Sequence, residues 1–343
     1  MRPEPVAILG TGLVTSVGHS TAASCSAFRA KITDSFETRF IDASGAWLMA
    51  HQVELDPPCS GLTKLVKMAV WAIEEALQDL DRDQWRHLPL LLCVAEADRP
   101  GRMAGLDDQL LVQIQRELGV TFAPASALVP HGRVGVAVAL AQARALMASS
   151  KVPAVLIAAA DSLLSWPTLS HYEREDRLLT GANSNGFMPG EGAGALWVGA
   201  STARVSRLLC TGIGFGHEPA HVGSVEPLRA DGLTRAITAS LNDAVRQLHD
   251  MDFRITDNSG EQYYFKEASL ALSRILRQRK EAFELRHPAE CTGEVGATSG
   301  ISVIAAGREA CFKGYAPGPS VLTHWANDAG QRAAVTLEFR AAA

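Results

Sequence analysis

The chain has 343 residues, of which 47% are hydrophobic and 20% charged, with 29 glycines and a formal net charge of −5. That length exceeds one hydrophobic core and predicts two domains or two halves of one layered fold, with the composition of a packed α/β protein rather than a disordered one. The acidic balance gives no support for nucleic-acid binding through phosphates.

The six cysteines (25, 59, 93, 210, 291 and 311) lack CxxC spacing, which argues against a zinc site or a disulfide framework and for a reducing cytoplasm. No apolar run reaches the roughly 18 residues of a membrane span, and no h-region precedes the first strand. The ten histidines show no HExxH-type spacing, so no metal and no cofactor are assigned.

In chain order, Val6–Leu9 is an apolar strand entering a glycine-rich turn, Gly10–Gly18. A dinucleotide loop would need a third glycine in place and an acid about 20 residues on; both are missing. Thr21–Ala30 reads as a capped helix, and residues 31–58 as irregular with an alternating piece at Trp47–Val53. Leu62–Leu80 carries apolar residues on one helical face. Leu90–Val94 is a strand, and Gly105–Leu118 a helix closed by Gly119. Pro130–Gly135 then breaks into the small apolar helix Val136–Met147. A tight turn at a helix N-terminus is how a nucleophile is presented to an anion-stabilising cluster of N–H groups. Here the presented residue is Gly132.

Ala154–Ala160 reads as a buried strand and His171–Asn185 as poorly patterned. Gly186–Gly194, crowded with small residues around Glu191, leads into the strand Ala195–Val198. An acid among glycines typically accepts backbone N–H bonds, so Glu191 reads as structural. The composition resets at Ser201–Arg207, which divides the chain into halves 1–200 and 201–343. The second half repeats the first loosely: a strand at Val205–Ile213 with a glycine-rich exit, a helix at Gly232–Asp250, a strand at Met251–Ile255 and a helix at Gln262–Arg279. A glycine-rich turn then feeds the helix Ile301–Ala310, and a strand closes at Val335–Phe339. The order predicts a duplicated α/β layer with small-residue helices between sheets.

These landmarks resemble the β-ketoacyl synthases of the thiolase superfamily. Gly186–Val198 (GFMPGEGAGALWV) is similar to their GF-x-x-GEGAG-A-L segment, and Val6–Gly18, Ala154–Asp161, Gly232–Asp252 and the glycine-alanine helix start at Gly296 resemble their counterparts. The resemblance implies a thiolase-like five-layered αβαβα fold of two similar halves, dimerised through strands near the elbow.

Family members act through a Cys–His–His set: a thiolate carries the acyl chain, and two histidines assist decarboxylation and stabilise an enolate. Carried onto this sequence, the cysteine position holds Gly132 and the first histidine position Asp257. The second holds Gly293, or Cys291 if a small insertion shifts the loop. The family lysine has Arg286 or His287 nearest, and the late glycine-rich loop is replaced by Trp325–Arg332, where Trp325 fills a tunnel or packs a strand.

The resemblance therefore implies a 3-oxoacyl-ACP synthase fold without its chemistry. The leading expectation is a non-catalytic subunit or protein-binding adaptor. It forms a homodimer, or a heterodimer with a related ketosynthase or with another protein of a secretion or biosynthetic locus, and an acyl carrier protein is a possible partner. The rival is an acyltransferase whose chemistry has moved to Cys291, Glu294, Asp257 and His131. For these four the plainer readings are a buried thiol, a helix N-terminal charge, a turn former and a loop residue with a solvated ring. A third possibility is a small-molecule binder in the vacated pocket.

Overall fold

The computed structural model describes residues 4–150, 152–200 and 205–342. Its first half runs β1 (Val6–Val14), α1 (Thr21–Ala30), the hairpin β2 (Phe36–Ile41) and β3 (Trp47–Ala50), α2 (Gly61–Ala76), α3 (Arg82–Trp85), β4 (Leu90–Cys93), α4 (Leu110–Leu118) and β5 (Ala127–Val129). It continues through a 3-10 turn (Gly132–Val134) into α5 (Gly135–Ser150), β6 (Ala154–Ser162), α6 (Trp166–Arg174) and β7 (Glu191–Ala200). The second half runs β8 (Arg207–His217), α7 (Asp231–Ala244), β9 (Phe253–Thr256), α8 (Gln262–Ile275), β10 (Leu285–Arg286) and α9 (Ala289–Thr292). A second 3-10 turn (Gly296–Thr298) enters α10 (Ser299–Phe312), followed by β11 (Ser320–Ala326) and β12 (Gln331–Arg340).

The duplication is visible in the strand order. In the large sheet the five strands of the first half lie β5-β4-β6-β7-β1 and the five of the second half β10-β9-β11-β12-β8, each set parallel up to its third strand and antiparallel beyond it. An antiparallel seam, Val6 opposite Cys210, joins the sets into one ten-stranded sheet. The inner helices α5 and α10 are apolar around most of their circumference, so they lie between the two halves of the sheet. There they pack with Ile157, Val198, Ile255 and Val335 in the central core. Helices α2 and α4 cover the outer face of the first half and α7 and α8 that of the second. The result is the five-layered thiolase-like fold that the resemblance implies.

Glycine periodicity sets how closely the outer helices approach. A Cβ at Gly10 or Gly12 of β1 would collide with the carbonyls of Ala76 and Ala72 in α2. Gly212, Gly214 and Gly216 of β8 meet the carbonyls of Ser240, Ala236 and Gly232 in α7 in the same way. Alternate residues of a strand thus face carbonyls spaced one helical turn apart.

This explains where the sequence reading differs from the structure. The glycine-rich turn read from Gly10 is strand as far as Val14, and the small-residue stretch before Ala195 and the glycine-rich exit after Ile213 are strand from Glu191 and to His217, because their glycines point at closely packed neighbours instead of bending the chain. The helix read to Asp250 ends at Ala244, where Val245 turns left-handed (φ 55°), and the helix read to Leu80 ends at Ala76. Strand β3 falls on the alternating piece at Trp47–Val53, while β2, helix α6 and strand β11 arise in stretches with no assigned element. Part of the expected boundary between halves, at residues 201–204, lies outside the described residues.

Candidate functional site

The two inner helices begin side by side, with Gly300 against Val136, and each is entered through a 3-10 turn whose first residue is a left-handed glycine: Gly132 (φ 49°) and Gly296 (φ 55°). Both turns are closed by carboxylates. A Cβ at Gly132 would fall on the Glu96 carboxylate, and one at Gly296 on that of Asp161. Arg99 binds both acids, with Nη2 2.6 Å from Glu96 Oε2 and Nη1 2.7 Å from Asp161 Oδ1. Asp161 also accepts the Ala297 N–H at 2.8 Å. One guanidinium therefore holds the plugs of both turns.

Beyond the plugs lies a second buried network. Arg133, on the turn itself, donates to Glu294 (3.1 Å), Tyr264 Oη (2.7 Å) and Asp328 (2.8 Å). Arg177 forks onto Glu261 (2.7 and 2.9 Å) and reaches Asp328 at 2.7 Å. Tyr264 and Tyr172 donate to Asp328 at 2.6 and 3.2 Å. Glu294 accepts Ser259 Oγ at 3.0 Å and the Gly296 N–H at 2.9 Å. Three guanidiniums thus face Glu96, Asp161, Asp257, Glu261, Glu294 and Asp328, so negative charge is in excess.

The titration shifts follow. Burial alone would raise Asp328, yet the Arg133 and Arg177 guanidiniums hold it well below the usual carboxylate range. Asp257 has burial and the Glu294 charge against it, only partly offset by Arg133, and is pushed up to about 7. Burial likewise raises Glu294.

The structure brings two of the four rival residues together and leaves two apart. Asp257 and Glu294 both face Arg133. Asp257 is not an exposed turn former: it is buried and accepts the Ala326 N–H at 3.1 Å. His131 stands outside the network, its Nδ1 3.5 Å from Gln331 Oε1. Cys291 points at the carbonyl of Ala27 (3.9 Å), and burial pushes its thiol up to about 11, far from a thiolate at neutral pH. It lines a different cavity together with Arg286 and His287. A Cβ at Gly293 (φ 66°) would meet the carbonyl of Met188 and lie 2.8 Å from Cδ2 of His51, a buried ring whose Nδ1 is 2.9 Å from the Asp34 carbonyl. Trp325 is packed in the central core. Glu191 is structural: it takes the Val53 N–H at 3.0 Å, Ser162 Oγ at 2.9 Å and the Lys64 ammonium.

Sequence reasoning missed Glu96, Arg99, Arg177, Tyr264 and Asp328. The only available signal was Glu96-Ala-Asp-Arg99, a charged i,i+3 pair directly after a fully apolar strand.

The interior space bounded by Glu96, Arg133, Arg177 and Glu294 is about 20 Å³, room for a single water and not for an acyl group. Outside it, a cleft of about 340 Å³ opens past His171 and His221. The network offers satisfied ion pairs and raised phenols; the Cys93 thiol packed behind Gly135 is pushed up by burial, and the His131 ring before the turn is directed at Gln331. Among the described residues no group of three His, Cys, Asp or Glu side chains is placed to hold a metal, and no helix is long and apolar enough to cross a membrane.

No protein-family model and no curated protein matches the sequence. Solved structures do match over nearly the full length. The ishigamide ketosynthase/chain length factor aligns with a TM-score of 0.77 at 18% identity, covering 98% of this chain and 99% of that one. AntDE, a type II polyketide ketosynthase bound to a hexaketide and in complex with the acyl-carrier protein AntF, aligns with a TM-score of 0.79 at 14% identity over 98% and 99%. The ketosynthase ApeO in complex with its chain length factor ApeC, from Xenorhabdus doucetiae, aligns with a TM-score of 0.75 at 12% identity over 98% of both chains. The fold is that of the ketosynthases and chain length factors of the thiolase superfamily.

Proposed function

We propose that this chain is a non-catalytic ketosynthase-like subunit that pairs with an active, related ketosynthase. The observation that carries the reading is the Glu96 carboxylate, fixed by Arg99, in the space a side chain at Gly132 would need. If Gly132 stands at the nucleophile position, the position is both emptied and filled. Asp257 and Gly293 (or Cys291), which the resemblance puts at the histidine positions, carry no imidazole of their own, and the His51 ring beside Gly293 is tied to the Asp34 carbonyl. Pairing is supported by β5, the strand leading into the Gly132 turn. It bonds to β4 on one side only and ends the sheet, and such an edge invites a partner strand. Ketosynthases in complex with chain length factors are among the proteins this chain resembles in fold, and they are the precedent for the heterodimer.

The experiment is co-expression of the chain with a ketosynthase encoded beside it, followed by sizing and an acyl-transfer assay. The expected outcome is a 1:1 complex in which activity resides in the partner and is unchanged by Cys291→Ala in this chain. Hydrolysis or decarboxylation of malonyl-carrier protein by the isolated chain, abolished by Cys291→Ala, overturns the reading in favour of a relocated nucleophile. Isolation with an unrelated protein and no ketosynthase complex leaves the adaptor instead.

A further inference from the structure

A cavity of about 510 Å³ lies away from the Gly132 turn, between α1, β10, α9 and α10. Its floor is apolar: Phe28, Leu285, Pro288 and Ala306, with the thiols of Cys25 and Cys291. Burial pushes those thiols up to about 12 and about 11, so they stay neutral and behave as apolar surface. This is the size and lining of a small-molecule site, which needs only a few polar groups to orient its ligand.

Charge at the rim decides what that ligand is. Arg286 is paired with Glu284 (2.6 Å), and Lys31 and His287 both reach Glu290 (3.3 and 2.7 Å). Among the described residues Arg29 has no anionic partner. Its guanidinium lies over the Tyr315 ring, 4.5 Å from the centroid, and Arg286 also approaches that ring at 5.7 Å. Stacking leaves the N–H edge of Arg29 free to take a planar carboxylate through two parallel bonds. Arg29, Lys31 and Arg286 against Glu284 and Glu290 leave one positive charge on the lining to be neutralised, with His287 counted as neutral.

We propose that this cavity binds a small carboxylate with an apolar body, its head held by Arg29 and its body on the Phe28–Ala306 floor. The site shares no lining residue with the Gly132 network, so its fate is separate from that of the subunit reading.

Calorimetric titration of the full chain with octanoate, octanol and octylamine tests it. Octanoate is expected to bind saturably and at least tenfold more tightly than either other probe. Arg29→Gln, an exposed change in the last turn of α1, is expected to cut octanoate affinity at least fivefold and leave octanol unchanged, and Ala306→Leu to weaken both. Octylamine or octanol binding as tightly as octanoate overturns the proposal. So does octanoate binding that survives Arg29→Gln, or the absence of saturable octanoate binding by the wild-type chain. If Ala306→Leu does not fold, the Arg29 variant still decides.

Discussion

Restoring a thiol at the turn is the sharpest perturbation the structure offers. Gly132→Cys introduces a Cβ at φ 49°, which costs an L-residue about 1–2 kcal/mol. That Cβ also lands on the Glu96 carboxylate, the far end of a side chain that can swing away only by leaving Arg99. Asp161 stays on Arg99, so the guanidinium is not stranded, and the loss is that of a hydrogen bond to a charged group, about 1.5–3 kcal/mol. Together the two effects destabilise the fold by about 3–4 kcal/mol, read as a lower urea midpoint at unchanged slope. No acyl transfer is expected, because the neighbouring His131 ring is directed at Gln331 and no imidazole joins the carboxylate–guanidinium network around the added thiol. The double variant Glu96→Ala/Gly132→Cys removes the collision. It should be more stable than the two single changes predict by about 2 kcal/mol, a coupling expected only of groups in contact. Stability of Gly132→Cys within about 0.5 kcal/mol of wild type, or additivity of the two changes, would refute the placement of Glu96 as the plug.

Asp257 makes stability pH-dependent. Its carboxyl titrates near 7 in the fold and near 3.9 in the unfolded chain, so the folded state keeps a proton the unfolded state releases. Wild-type stability therefore falls as pH rises from about 4 through 7, by at most about 4 kcal/mol. Asp257→Asn keeps an acceptor for the Ala326 N–H and escapes this loss; its advantage over wild type should grow across that window in urea melts at pH 5 and pH 8, and a pH-independent difference contradicts the assignment. Arg177→Met leaves Glu261 without its forked partner and Asp328 with Arg133 as its one paired cation, beside the Tyr264 and Tyr172 hydroxyls. The expected cost is about 3–5 kcal/mol, and a cost below about 1 kcal/mol in the same assay would show that the network is relaxed by solvent.

The layering was legible because it rests on periodicity. The apolar runs of β4 and β6 and the small residues of α5 and α10 each identify a buried element without reference to any other. The glycine-rich strands were not legible. Glycine at alternate positions reads as a turn until the helix whose carbonyls it accommodates is in view, and for β8 that helix begins fourteen residues after the strand ends. The Gly132 turn was readable as local chemistry, whereas its plug was not. Glu96, Arg177, Tyr264 and Asp328 come from four separate stretches with no shared spacing; Glu96, Arg177 and Asp328 alone are ordinary polar residues on connecting segments, and Tyr264 sits in the first turn of α8. Asp257 misled for the same reason: an Asp-Asn-Ser-Gly run is turn chemistry, and only the strand carrying Ala326, itself missed, buries it.

The plug also bears on why a turn that presents glycine carries so much buried charge. Replacing a nucleophile by glycine would leave a hole beside two helix N-termini, and an apolar filling would stabilise the fold at least as well as ion pairs do. Carboxylates add something an apolar filling lacks, because the turns present unpaired N–H groups that an acid can accept. Asp161 takes the N–H of Ala297 and Glu294 that of Gly296, while Arg99 and Arg133 tie these acids to Glu96 and Asp328. The entrances of α5 and α10 are thereby locked in one arrangement. Since β5 runs directly into the first of these turns, the same network fixes the free edge of the sheet. A subunit whose work is to present that edge to a partner needs this rigidity, and it needs no open pocket.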